Sequence, residues 1–190
     1  MKKYFKILLL VLLAPILQAC PPGSDPSIDI EYTLECSEFL LQNATPQISY
    51  KGNDGQTVII QVNDNDWKET SSPSVPIKVN DKEINNSMKK WTKTVRYDDF
   101  GTVDDELTIT YIPKDDASNY NGSLLPYCQH HLSLTGTLSD EDGDKTPFGY
   151  IDEQKTIVPN NEFSLSDGIK QFRDYRGIHA TSNGTINYKK

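Results

Sequence analysis

The chain has 190 residues, 19 basic against 27 acidic, and a formal charge of −8. Its length fits one domain, or one and a half. The acidity excludes nucleic acid and anionic lipid headgroups as partners, because both require a basic footprint.

The chain opens with a basic start, Lys2, Lys3 and Lys6, followed by an unbroken apolar run from Ile7 to Leu13. The uncharged stretch reaches only to Ala19, short of the about 20 residues that a relaxed helix needs to cross a membrane. Residues 1–19 therefore read as a removable signal segment. Removing their three lysines leaves 16 basic and 27 acidic residues, a net charge of −11. Leu17-Gln18-Ala19-Cys20 resembles the lipobox of bacterial lipoproteins, with an apolar residue three places before the cysteine and a small one just before it. The resemblance implies cleavage before Cys20, diacylglycerol on its thiol and an N-terminal acyl chain such as palmitate. An ordinary secretion signal with a coincidental cysteine is the alternative. Two or more acyl chains make a stable anchor, at about 0.8 kcal/mol per buried methylene. Residues 20–27 carry three prolines and nothing to bury, as a flexible tether should. Pro21 is not the aspartate that retains enteric lipoproteins in the inner membrane, which favours an outer-membrane address.

From residue 28 the pattern turns to β. In Ser27–Cys36, Ile28, Ile30, Tyr32, Leu34 and Cys36 fall on one face and Asp29, Glu31, Thr33 and Glu35 on the other. "PQISYK" and "QTVIIQV" flank Asp54-Gly55, and "VPIKV" and "KEI" flank Asn80-Asp81, two hairpin signals. "KKWTKTVRY" and "ELTITYI" flank an acidic loop, Asp98 to Asp105, with Leu107, Ile109 and Tyr111 on one face of the second strand. In "CQHHLSLTGTL", Cys128, His130, Leu132, Leu134 and Leu138 share a face. Near the end, "SLSDGIKQFRDYRG" predicts a helix of at most about three turns, capped by Ser166 or Asp167 and terminated by Gly177. "GTINYKK" adds a last strand.

Short strands separated by Gly, Asn, Asp and Pro at intervals near about ten residues are the pattern of a sandwich. The expectation is a mainly β chain, an immunoglobulin-like β-sandwich with one short C-terminal helix. Residues 28–190 form a single domain with a C-terminal extension from about 140. The stretch from about 46 to 138, with "GNDGQTVIIQVNDNDWKE", then "KKWTK", then "DDELTITYIPKDDASNYNGSL", resembles the immunoglobulin-like BACON domain of Bacteroidetes. Trp67, Trp91 and Leu107 to Ile109 fall in that family's order. Tyr120 stands where it usually has Arg, and the closing strand lacks its usual ending. The resemblance implies a seven-stranded sandwich acting as a spacer or a glycan-associated module.

Cys36 and Cys128 remain after lipidation, an even pair in an oxidising compartment. Two inward cysteines on separate strands predict a disulfide closing a loop of about 90 residues, worth about 4 kcal/mol in the chain-entropy model. Two free buried thiols are the alternative. His130 and His131 face opposite sides of a strand and cannot share a metal. Cys128 and His130 do share a face, but zinc needs three or four converging ligands. Asp140, Asp142 and Asp144 match the first ligands of a calcium loop. Lys145 stands where that loop needs Gly and Ile151 where it needs Glu, so a solvated hairpin tip is the preferred reading. No Gly-rich phosphate loop or Gly-x-Ser-x-Gly elbow is present. The expectation is a non-catalytic protein without cofactor or metal. Trp67 and Tyr120, flanked by Asn and Asp, offer the stacking face and polar rim of a sugar site, against the alternative that Trp67 and Trp91 are core. The function expected is a lipid-anchored envelope module that binds or scaffolds, with polysaccharide or an envelope protein as partner. A subunit that docks its partner by strand addition and a barrel-type carrier are the rivals.

Overall fold

The computed structural model describes residues 25–51, 56–72, 74–120, 122–150, 155–156 and 164–189. The signal segment, Cys20 and the Asp54-Gly55 turn lie outside them. In chain order the elements are β1 (Ser27–Ser37), α1 (Glu38–Asn43), β2 (Ala44–Lys51), β3 (Thr57–Gln61), β4 (Lys68–Glu69), β5 (Val75–Val79), β6 (Lys82–Asn86), β7 (Met88–Asp98) and β8 (Thr102–Pro113). Then follow β9 (Gln129–Ser139), β10 (Lys145–Tyr150), β11 (Lys155–Thr156), α2 (Leu165–Gln171), β12 (Arg173–Thr181) and β13 (Ile186–Lys189).

The strands make two antiparallel sheets and a hairpin. The first sheet runs β10-β9-β1-β7-β4, with β11 also on β9. The second runs β13-β12-β8-β2-β3, and β5-β6 stand apart. The chain is thus mainly β, a two-layer sandwich with short helices. Alternation decides which face turns inward: Ile28, Ile30, Tyr32, Leu34 and Cys36 of β1 are fully buried, as are Leu107 and Ile109 of β8. Leu132, Leu134 and Leu138 of β9 and Ile178 and Ala180 of β12 complete the packed interior. Asn80 and Asp81, at φ of 49° and 60°, both adopt the left-handed conformation that a type I′ hairpin turn between β5 and β6 requires.

Four elements depart from the sequence reading. β8 begins at Thr102, inside the expected acidic loop, and Val103 and Asp105 turn into the core. The C-terminal helix is a single short segment capped by Ser164, whose side chain accepts the Asp167 amide, and it ends at Gln171. The residues expected to continue it, Arg173 to Gly177, open β12 and pair with Thr110 to Glu106 of β8. The alternation was hidden because two of the inward positions, Asp174 and Arg176, are charged. α1 was not expected at all; Ser37 caps it through the Leu40 amide, and Phe39, Leu40 and Asn43 face inward. Residues beyond 140 supply β10 and β11 to the first sheet and β12 and β13 to the second.

One glycine is dictated by close approach. Gly136 of β9 lies opposite Ile30 of β1 and Phe148 of β10. A Cβ there would stand 2.1 Å from the Asp29 carbonyl oxygen and 2.4 Å from Cζ of Phe148. Gly136→Ala is expected to destabilise the fold by about 1–3 kcal/mol, through strand displacement and loss of the Phe148 ring's seat. The midpoint of denaturant unfolding, at unchanged slope, measures it.

Candidate functional site

The two sheets are joined through the core by a chain of polar side chains. Cys36 on β1 and His130 on β9 come from one sheet; Tyr111 on β8 and Asp174 and Arg176 on β12 come from the other. Cys36 Sγ lies 3.1 Å from Tyr111 Oη, which lies 2.6 Å from His130 Nδ1. His130 Nε2 is 2.8 Å from Asp174 Oδ2, and Arg176 Nη1 donates to Asp174 Oδ1 at 2.9 Å. The Tyr175 amide donates to the same Oδ1 at 2.9 Å. The rings of Phe172 and Tyr111 pack around His130, and Arg176 stacks 5.4 Å over Tyr150.

Charge decides the protons. Asp174 pairs with Arg176, and a neutral His130 ring adds no further charge beside them. The carboxylate only accepts, so the proton sits on Nε2 and Nδ1 accepts from Tyr111. Burial raises the Tyr111 phenol well above its ordinary range, and its oxygen is left to accept from the Cys36 thiol. His130 is wholly buried and Asp174 nearly so. The arrangement resembles a catalytic triad in residue type, and its described members are buried and alternate between the two sheets from Cys36 to Asp174. It is a clamp between sheets.

The Cys36–Cys128 disulfide is corrected: both are free, buried thiols. The register explains this. Cys36 stands opposite His130, the last pair of that ladder, and Cys128 lies just before β9, out of the position opposite Cys36. Burial pushes both thiols up to about 12, so neither is a nucleophile. His131 turns outward, 3.5 Å from Glu35, and His179 sits on the opposite surface, 3.0 Å from Asp104. Neither joins Cys128 and His130.

Trp67 lies elsewhere. It ends the turn Asp64–Asp66, which is tied by the Asp66 carboxylate accepting the Asn63 amide at 3.0 Å. β4 follows and pairs with Lys89 and Lys90 of β7. The indole is half-buried against the core and lines an open groove of about 310 Å³. The other wall is the outward face of α1, Glu38, Leu41 and Gln42, spaced i, i+3, i+4. Asp64, Lys89 and Lys114 close the rim. Several of these groups are held in place. Ser87 Oγ donates to Glu38 Oε2 at 2.7 Å, and Lys114 Nζ donates to the Leu41 carbonyl at 2.7 Å. Lys89 Nζ pairs with Glu69, whose hydrogen bond raises the amine above the ordinary lysine range.

Tyr120 is not part of that groove's lining. It packs edge-on against Phe39, on the inward side of α1, with ring centroids 5.9 Å apart. Trp91 is core, 7% exposed and opposite Leu34. The Asp140 to Asp144 segment is a tight turn in which Asp140 Oδ1 accepts the amides of Asp142 and Asp144, at 3.0 and 2.9 Å. Gly143 takes the left-handed conformation there. Among the described residues no cluster of His, Cys, Asp and Glu converges as a metal site.

Asp174→Asn is expected to cost about 3–5 kcal/mol, because it leaves Arg176 charged and buried beside a neutral amide. Tyr111→Phe removes two hydrogen bonds but strands no charge, and its expected cost is smaller, about 1–3 kcal/mol. Equilibrium unfolding in denaturant distinguishes them; equal losses would mean that the ion pair is not what the clamp rests on. No family model, no curated protein and no solved structure matches the chain significantly.

Proposed function

We propose that the protein is a lipid-anchored, non-catalytic module of the bacterial cell envelope that binds a glycan in the Trp67 groove. The observation that carries the reading is the combination in one open groove of a half-buried indole with Glu38, Gln42, Asp64, Lys89 and Lys114. Sugar rings present apolar C–H faces that stack on an aromatic, and hydroxyls that pair with amides, carboxylates and amines. The fixed rotamers of Glu38 and Lys114 lower the entropy lost on binding. The non-catalytic part is supported by the burial of the His130–Asp174 pair in the core beside Arg176. The anchor is supported by the sequence alone, Leu17 to Cys20.

A second reading, capture of a partner by strand addition, draws on β3. That strand ends the second sheet and leaves Val58 51% and Ile59 60% exposed, on an uncharged run from Gln56 to Val62. The carrier reading draws no support from an interior filled by Tyr32, Phe39 and leucines.

Native gels cast with a panel of polysaccharides test the groove. Retardation by at least one glycan is expected, and Trp67→Ala should abolish it with little change in thermal midpoint, since the indole is only half-buried. No retardation by any glycan of a broad panel would overturn the glycan reading and leave β3 as the surface to pursue. The anchor is tested separately: Cys20→Ser should move the protein from the membrane fraction to the soluble envelope fraction and abolish palmitate incorporation.

A further inference from the structure

A second polar group lies between the sheets, away from the clamp. Asp105 sits on β8 opposite Ile178 of β12, its side chain turned inward between Val103 and Leu107 and 0% exposed. The Tyr32 hydroxyl, also 0% exposed, closes no hydrogen bond, and the Asp105 oxygens close none of full geometry, although the Tyr97 hydroxyl and the Glu106 amide lie close enough to act on them as donors. Buried polar groups without partners are rare and signal a function or a strained element. Around Asp105 stand groups from every neighbouring element. Tyr32 comes from β1, Tyr97 and Lys93 from β7, Glu106 from its own strand, and Tyr50 of β2 and Tyr175 of β12 lie close enough to act electrostatically on Tyr32. Tyr97 and Tyr50 belong to opposite sheets, and their hydroxyls meet at 2.8 Å. This contact joins β7 to β2, the strand that carries edge strand β3.

We propose that Asp105 and the Tyr50–Tyr97 hydroxyl pair form a proton-operated clasp that fastens the β2–β3 edge of one sheet to β7 of the other and loosens when Asp105 loses its proton. A protonated carboxyl is neutral and supplies a donor to the surrounding phenol oxygens. An ionised one is a charge out of water beside the Tyr32 and Tyr97 phenols, with Lys93 as a nearby cation and Glu106 opposing it. Opening the half-buried Tyr50–Tyr97 end lets water reach it. Burial pushes the Asp105 carboxyl up to about 7, while the nearby Tyr97 hydroxyl, the Glu106 amide and Lys93 pull it down less strongly. The folded state therefore holds this proton more tightly than the unfolded chain, where an aspartate titrates near about 3.9. The stabilisation is fully present below about pH 4 and is lost as pH rises through about 7.

The test is hydrogen exchange on the full chain, with carbon-detected NMR titration of the Asp105 carboxyl. After correction for intrinsic rates, protection of β2 and β3 amides is expected to fall about 30-fold between pH 5.5 and 8 if opening frees the carboxyl. Asp105→Asn, close in shape and without the proton, should flatten that dependence. Tyr97→Phe should lower protection of β2 at both pH values by breaking the hydroxyl contact. A carboxyl titrating below about 5, protection unchanged with pH, or pH dependence surviving in Asp105→Asn would each overturn the clasp. The clasp does not depend on the glycan reading, and the two fail independently.

Discussion

Asp174 and Arg176 carry two charges into the middle of a β-sandwich, and much of the architecture follows from accommodating them. Ions taken out of water are tolerated only when they are paired and their remaining hydrogen-bonding capacity is used. Here Arg176 and the Tyr175 amide share one carboxylate oxygen, and His130 takes the other. His130 is then fixed in tautomer and ring orientation, and Tyr111 and Cys36 follow in sequence. Because the members alternate between sheets, the chain of bonds specifies which face of each strand is inner. A one-residue slip of β12 against β8 would carry both charges to the surface and break every link. Apolar packing supplies the bulk of the stabilisation; the polar chain makes one register of the two sheets distinct from its neighbours.

This arrangement also sets what was legible in the sequence. Where inward residues are apolar, as in β1 and β9, alternation named the strand and its buried face, and Asn80-Asp81 named its own turn. Where inward residues are charged the rule inverted. "RDYRG" reads as a helix end or a loop, because Asp174 and Arg176 look like surface residues and nothing local says that His130, 44 positions from Asp174, will meet them. The same blindness placed Asp105 in a loop. His130 and Cys128 were correctly given a common face, but an odd–even argument contains no register. Only the pairing of Cys36 with His130 shows that the second thiol does not stand opposite the first. For the groove, the polar setting of Trp67 was the visible signal, while α1, the wall that makes it a groove, was not anticipated.

The polar inventory thus divides by depth. The His130–Asp174 pair and two thiols lie in the core, while the His179–Asp104 and His131–Glu35 pairs lie toward the surface. Around Trp67 an open groove gathers an indole, an amide, carboxylates and amines. One wall of the groove is α1, which leads from β1 into β2, and the other is the Asp64–Trp67 turn between β3 and β4. A site of that kind is preorganised by the fold itself.

The position of β1 has a mechanical corollary. It is the central strand of its sheet, in register with β7 over its whole length on one side and with β9 from Ser27 to Cys36 on the other. A pull on Ser27 directed along this strand runs parallel to its neighbours. The ladder hydrogen bonds are then loaded together in shear rather than opened one after another from an end. A sandwich held by such a strand yields late under tension and then all at once. Its resistance is set by the unfolding rate under load rather than by equilibrium stability.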